Sequence, residues 1–305
     1  MNLKGKIVKH IVFGIGTVTR HKGDEIIIKF GSDERYFKYP QSFDDGYLEL
    51  ENSILTDNRI KNIKAKSEKR TNLNRYNKQE NVAIKCIYND GGNADAYNGF
   101  RGVCSDENIK SNIASNRVWC SQPQCPCNRY INKIISRDVL EYINKTDMVC
   151  HESRLLIDWK GYAGFYHNGE RKDKPIKINN SSEGALAVFT TRFPGEKEEN
   201  RYIFAVFIIK SYFKGDDYDC GCVTADDYYR IELSTDEMRE MPFWEFYSNS
   251  KSDKKKWGSG IIRYFDNDIA VDILKRIIKI KDGKKEKELA ENILKRFCEI
   301  HNIKI

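Results

Sequence analysis

ALAVFTTRFPGEKEENRYIFAVFII, residues 185–209, contains two continuous apolar runs, Ala185–Thr190 and Tyr202–Ile209, separated by a charged segment with Pro194 and Gly195. Short apolar runs bounded by Pro, Gly and charge predict buried strands, whereas a buried helix needs about ten or more residues. Further strands are expected at Arg154–Trp159, Ile261–Phe265, Cys222–Thr224 and Tyr228–Leu233. Downstream the apolar spacing becomes helical. Asp268–Ile280 sets Ile269, Ile273, Leu274 and Ile277 on one face behind a cap at Asp266 or Asn267. Lys284–Ile300 carries Leu289, Ile293, Leu294 and Phe297 as a second stripe. Residues 151–280 are therefore expected to form an α+β recognition domain, followed by a C-terminal helix within 281–305.

Working toward the N-terminus, residues 80–150 open with the strand-like Val82–Tyr88, pass through NDGGNADAYNGFRG and reach a cysteine-rich stretch before a helix at 137–145. Residues 51–79 read as a linker, and within it 59–78 are basic at Arg59, Lys61, Lys64, Lys66, Lys69, Arg70, Arg75 and Lys78 against Glu68. Residues 1–50 show short alternating strands at Ile7–Phe13, Thr17-Val18 and Ile26–Phe30. Turns at Gly14-x-Gly16, Lys22–Asp24 and Gly31–Asp33 separate them, and Tyr36–Pro40 closes the run. The expected fold class is multidomain α+β: a small N-terminal β barrel, a Cys-rich metal-binding middle and the mixed C-terminal unit.

A chain of 305 residues with 40% hydrophobic content is long enough for more than one core. No run approaches the roughly 20 apolar residues of a membrane span, and the charged N-terminus lacks a signal-peptide core. A cytoplasmic protein without a membrane partner is expected. In that compartment nine cysteines point to ligands, buried thiols or redox chemistry before disulfides. The net charge of +7 is compatible with a nucleic-acid partner, DNA favoured, without requiring one.

Val8-x-His10…Phe13-Gly14-x-Gly16-x-Val18, followed by a strand ending in Phe30, resembles the SH3-like or Tudor-like barrels of UvrD-type helicases and CarD-type factors. That resemblance implies a non-catalytic module that docks a protein partner or nucleic acid. Gly14-x-Gly16 is not a nucleotide loop, since it lacks a third glycine, a GK[ST] ending and a following helix.

VCSDENIKSNIASNRVWCSQPQCPC, residues 103–127, supplies Cys104, Cys120, Cys125 and Cys127 as C-x15-C-x4-C-x-C. Four thiolates suit a structural zinc, or alternatively an iron–sulfur cluster. Buried unligated thiols and a redox pair are the competing readings, and Cys86 and Cys150-His151 are reserve ligands. Arg101, Arg117 and Arg129 stand near these cysteines in sequence and could offset thiolate charge or contact phosphate. Cys220-Gly221-Cys222, with Asp216, Asp217, Asp219, Asp226 and Asp227 around it, reads as a solvated turn or a cation site.

Two constellations could act on nucleic acid. Aromatic and basic residues, Arg192, Trp244, Lys255, Lys256, Trp257 and Arg263, could stack extruded bases and hold phosphates. Their setting resembles PUA-like modules (EVE, ASCH and YTH), which implies an aromatic pocket for a modified base. The step Asp158-Trp-Lys160 matches half of a restriction-type nuclease site, with Glu141, Asp147 or Glu152 as the second carboxylate. No G-x-S-x-G elbow or protease-type cysteine occurs. The leading expectation is a nucleic-acid-binding modular protein of bacterial restriction, defence or repair. A metal-dependent nuclease using Asp158 and Lys160 is the enzyme alternative, and an adaptor that binds only protein is the third reading.

Overall fold

The computed structural model describes residues 3–10, 13–31, 33–44, 47–50, 80–92, 99–117, 119–146, 148–248, 255–258 and 260–304. The basic linker 51–79, with Ile11, Val12, Asp147, Lys251 and Lys254, falls outside these residues. The chain divides into two compact units, Met1–Tyr76 with Asp217–Asp219, and Asn77–Asp216 with Cys220–Ile305. Both carry a sheet, so the protein is α+β.

The first unit holds β1 (Ile7–His10), β2 (Gly14–Lys22), β3 (Glu25–Phe30), β4 (Asp33–Lys38), the short α1 (Gln41–Asp44) and β5 (Leu48–Leu50). The strands form an antiparallel sheet in the order β4-β3-β2-β1-β5. Inward positions supply Val8, Val18, Ile26, Ile28, Phe30 and Leu48, with Phe13, Phe37, Tyr39 and Phe43 packed against them. Gly16 is required by space: a Cβ there would lie 2.5 Å from the Ile28 side chain. His10 is buried among Phe13, Phe30 and Phe37. Burial, helped by the charge of Arg35, lowers its pKa to about 4 and keeps it neutral.

In the second unit the elements are β6 (Asn81–Lys85), α2 (Asp106–Ala114), α3 (Pro126–Ile131), α4 (Arg137–Thr146), α5 (His151–Asp158), β7 (Lys160–Tyr162), β8 (Leu186–Thr191), β9 (Tyr202–Phe213), β10 (Cys222–Glu232), α6 (Thr235–Arg239), α7 (Phe243–Phe246), β11 (Ile262–Phe265), α8 (Asn267–Ile280) and α9 (Lys287–His301). Six strands pair in the order β11-β6-β8-β9-β10-β7. Among the described residues only β6 and β8 pair in parallel, with Lys85 opposite Thr190, and a parallel pair needs a long crossover. That crossover contains α2 to α5 and β7.

The division expected at residue 150 is corrected by this pairing. β6, read as the opening of a separate Cys-rich unit, lies inside the sheet between β11 and β8. Its fully buried Val82 and Ala83 share one core with Val188, Phe204, Val206 and Phe207. Each large apolar side chain buried there contributes about 1.5–3 kcal/mol, so β6 is held by the C-terminal half of the chain.

The strand expected at Arg154–Trp159 is also corrected: these residues belong to α5 and its C-cap. Leu155 and Leu156 are both buried, and Trp159 ends the helix in the left-handed conformation at φ 46°. A short apolar run has no periodicity that separates strand from helix, so only packing decides. The two strands expected at 222–224 and 228–233 are one, β10, bulged between Thr224 and Arg230. The helical expectations match more closely. Asp266 caps α8, its Oδ1 accepting from Ile269 N at 3.1 Å. α9 packs on α8 and against β9 and β10.

Candidate functional site

Because β6 and β8 are parallel and β9 returns antiparallel to β8, the end of β6, the end of β8 and the start of β9 share one edge of the sheet. Carboxyl ends of parallel strands are a common ligand position, since loops there diverge. A small cleft opens at this edge. The sheet contributes Lys85 at the end of β6 with Cys86, Ile87 and Tyr88 after it, Arg192, Pro194 and Gly195 after β8, and Arg201 before β9. Ser111, Asn112, Ser115 and Arg117, from α2 and the turn after it, form the opposite wall.

α2 is fixed at its N-terminus by Ser105, whose Oγ accepts from Asn108 N at 3.2 Å. Ser105 is itself held by buried Asp90, which accepts from Ser105 N at 2.7 Å and from its hydroxyl. The turn carrying Asp90 closes against Gly99, where a Cβ would stand 2.0 Å from Gly91 N. At the other end, the N–H groups of Ser115, Asn116 and Arg117 take up the carbonyls of Ser111, Ile113 and Asn112, each at 2.9 Å. That leaves the carboxyl end of α2 satisfied and points Arg117 into the cleft.

Lys85, Arg117, Arg192 and Arg201 meet here, with Glu198 as the partner acid. Burial, then Arg201, with Arg192 and Arg117 also contributing, lowers the Lys85 pKa against the opposing pull of Glu198. Burial, Arg192 and Arg201 likewise lower that of Arg117. Burial opposes ionisation of Glu198, but the Arg201 hydrogen bond and the surrounding cations hold its carboxyl below the ordinary range.

Arg201 is 1% exposed. It grips Glu198 through two nitrogens and donates from Nη1 to Thr190 O at 3.1 Å. By contrast, Arg117 Nε is buried without a hydrogen-bond partner, and no ion pair to Lys85 occurs among the described residues. Crowded cations repel one another, and Arg117 Nε has no acceptor to offset its burial. An anion would relieve both.

Beside the cleft lies a thiol cluster. Cys104 and Cys127 are buried with Val103, Ile109 and Leu140, and Cys125 packs against them. Cys125 caps α3. A hydrogen bond from Cys127, opposed by burial and aided by the Asn128 and Cys127 N–H groups, lowers its pKa to about 6. Burial first, then the charge of Cys125, raises Cys120 to about 12. Burial also raises Cys104 and Cys150, each of which senses the charge of Cys120. Cys150 therefore joins the four cysteines singled out in sequence. Glu152 sits among them, its Oε1 accepting from Ile87 N at 3.1 Å, and Arg117 offsets charge at Cys120. None of the nine cysteines is disulfide-bonded, and among the described residues no three His, Cys, Asp or Glu side chains stand in metal-ligating geometry.

The other expected site residues fall in different places. Arg192 lines the cleft. Trp257 is 1% exposed, wedged against Phe243 and Trp244, with the guanidinium of Arg201 5.0 Å and that of Arg263 5.5 Å from its ring. Trp244 is buried too, donating from Nε1 to Glu198 O at 2.7 Å. The expectation that these rings are open stacking faces is thus corrected: they pack beneath Arg201 and Glu198 and position them. Lys255 and Lys256 are exposed and do not line the cleft.

Asp158 ends α5, and its carboxylate is taken bidentately by Arg154 at 2.8 and 2.9 Å. Lys160 begins β7, with its ammonium 5.1 Å from the Tyr162 ring. Of the proposed second carboxylates, Glu141 pairs with Arg137 and Glu152 faces Ile87. Of the carboxylates around Cys220 and Cys222, Asp227, in the bulged part of β10, is ion-paired with Lys210 and Arg230. Lys85 had no sequence signal of its own, since a lone lysine at a strand end is ordinary. Comparisons with protein-family models, curated proteins and solved structures find no match to this chain, so its chemistry has to be read from its own residues.

Proposed function

We propose that this chain binds nucleic acid through the cleft at the carboxyl ends of β6 and β8, with the phosphate backbone as the ligand that quiets its cations. The observation that carries this reading is the convergence of Lys85, Arg117, Arg192 and Arg201 around Glu198, with Arg117 Nε unpartnered. Neutralising phosphates releases counterions, so affinity for labelled DNA or RNA should fall with the logarithm of salt at a slope of about −2 to −4 between about 50 and 200 mM. A flat salt response, or no binding at any salt, rejects the reading.

The first unit supports a docking role. Its antiparallel sheet, in the order β4-β3-β2-β1-β5, supports reading it as the SH3-like barrel that its sequence resembles. That module would contact a protein partner or the same nucleic acid.

The thiol cluster supplies soft donors for a structural zinc or an iron–sulfur cluster. The buried Cys104 and Cys127, with Cys120, Cys125 and the adjoining Cys150, offer more thiols than one tetrahedral ion needs. Any metal would tie α2, α3 and the start of α5 together, because these elements carry or adjoin the five cysteines. Anaerobic purification with elemental analysis and an absorption spectrum should give about one colourless zinc, or brown iron, per chain. Serine at Cys104 or Cys127 should lower that content at least about tenfold, as expected for loss of a ligand in a closed site. Metal-free protein that is fully folded would remove this role.

A further inference from the structure

Resting on the nucleic-acid reading, we propose that Trp119 is a stacking platform beside the cleft, and that the strand bound there is single, with an unpaired base on the indole. Trp119 follows Arg117 by two residues, a backbone span of about 7 Å at most. A phosphate on Arg117 and a base on Trp119 can therefore belong to neighbouring parts of one strand.

The ring is held in place without being buried. Trp119 is 39% exposed and joins none of the apolar clusters formed by the described residues. Its turn is closed by the backbone: Ser121 N donates to Arg117 O at 2.9 Å, and Gln122 N to Trp119 O at 3.3 Å. The Asn128 carboxamide donates to Cys120 O and Ser121 O at 3.4 and 3.2 Å. His167 meets the indole edge-to-face, with ring centroids 4.7 Å apart. Burial lowers the His167 pKa against the opposing charge of Asp173, so the imidazole acts as a neutral ring partner. An indole left this open forgoes part of the gain of burial. A stacked base would recover it.

The segment that supplies His167 also supplies cations. After β7, residues 164–176 fold back on themselves. Ile176 N donates to Gly164 O, Tyr166 N to Lys174 O and Asp173 N to Tyr166 O, at 2.9, 3.0 and 2.8 Å. This hairpin exposes Arg171, Lys172 and Lys174 against Glu170 and Asp173, and the Arg171 guanidinium stands 5.6 Å from the Tyr166 ring. Aromatic faces flanked by basic side chains hold single strands without reading their sequence. A base inside a duplex is covered on both sides by its neighbours and has no face to offer, so the ring selects unpaired strand.

Intrinsic fluorescence reads this contact directly. Of the four tryptophans, Trp159, Trp244 and Trp257 are buried, so quenching by a base that stacks at the surface reports Trp119. Unlabelled oligothymidylate or oligouridylate, titrated into the full chain, is expected to quench the emission, and a duplex of equal length at equal salt to quench little. Trp119→Leu should abolish the quench and weaken single-strand binding at least about fivefold, the low end for one stacked base. The slope of affinity against salt should stay the same, because no phosphate contact is lost. Trp119→Phe, which keeps a smaller aromatic face, should recover most of the affinity. The wild-type comparison of single strand with duplex needs no variant, so it decides the matter even where leucine disturbs the turn.

Equal quenching by duplex and single strand, a strand that binds without quenching, or an unchanged affinity in Trp119→Leu overturns the inference. In each case binding that weakens with salt leaves the nucleic-acid reading standing. Failure of every nucleic acid to bind removes both.

Discussion

Glu237→Ala is expected to destabilise the second unit by about 3–5 kcal/mol, the cost of leaving a buried charge without its partner. Glu237 is 4% exposed and sits in the first turn of α6. Its Oε2 accepts from Lys281 Nζ at 2.8 Å and from Ser234 N at 2.7 Å, and its Oε1 accepts from Lys284 Nζ at 2.7 Å. Lys281, at the end of α8, is 4% exposed and has Glu237 as its ion-pair partner. Removing the carboxylate strands that ammonium and opens the capping box of α6 at once.

The same site fixes a pH signature. Burial opposes ionisation, but the two lysines and the Ser234 N–H outweigh it and lower the Glu237 pKa from 4.5 to about 2. A folded-state pKa below the unfolded one stabilises the fold fully above the unfolded value. The contribution, about 3 kcal/mol, is lost as pH falls from 4.5 toward 2. Urea unfolding at pH 7 and pH 3 should therefore show a smaller wild-type-to-variant gap at the lower pH. A Glu237→Ala protein within about 1 kcal/mol of wild type at pH 7 would contradict the buried-pair account.

Reversing two cleft charges, Lys85→Glu with Arg117→Glu, should lower nucleic-acid affinity at least about 100-fold at physiological salt, since two phosphate contacts become repulsive. Neither side chain has an ion-pair partner among the described residues, and both feel the repulsion of Arg192 and Arg201. Acids at those positions gain attraction to the two remaining arginines. The variant should hence melt no lower than wild type while losing its ligand, a separation characteristic of residues kept for binding at the expense of stability. Arg201 does not serve for this test, because it is buried and bonded to Glu198 and Thr190, so its loss would disturb the fold. Reversal of the exposed Lys255 and Lys256 supplies the comparison. An equal loss of affinity there, with none from Lys85 and Arg117, would move the interface away from the cleft.

These two sites differ in how far they could be read from the chain. Ser234-Thr-Asp-Glu237 is a local capping pattern, but nothing local says that Lys281, some 44 positions on, closes it. In the cleft, Arg192 stood out beside Phe193 and Pro194, and Arg117 beside the cysteines. Lys85 did not, and the meeting of all of them depends on β6 joining β8 in parallel across the long crossover. Trp244 and Trp257 show the opposite failure. Their aromatic and basic surroundings suggested an open pocket, yet burial depends on what packs against a ring, and Phe243, Arg201 and Arg263 cover Trp257.

By itself the sequence determined what repeats over a few residues. The stripes of α8 and α9 put Ile273, Ile277, Ile293 and Phe297 in the core. The strands of residues 1–50 and the runs 186–191 and 202–209 became sheet as their apolar patterns require. The tertiary structure alone decided that Leu155-Leu156 is helical, that β6 belongs to the C-terminal sheet, that Cys150 joins the thiols, and that the cations surround one cleft. Helix and strand patterns arise from bonds within a turn or along a strand, so neighbours in sequence reveal them. A site is set by contacts between distant segments, and those follow only from how the sheet orders its strands and where the crossover helices dock.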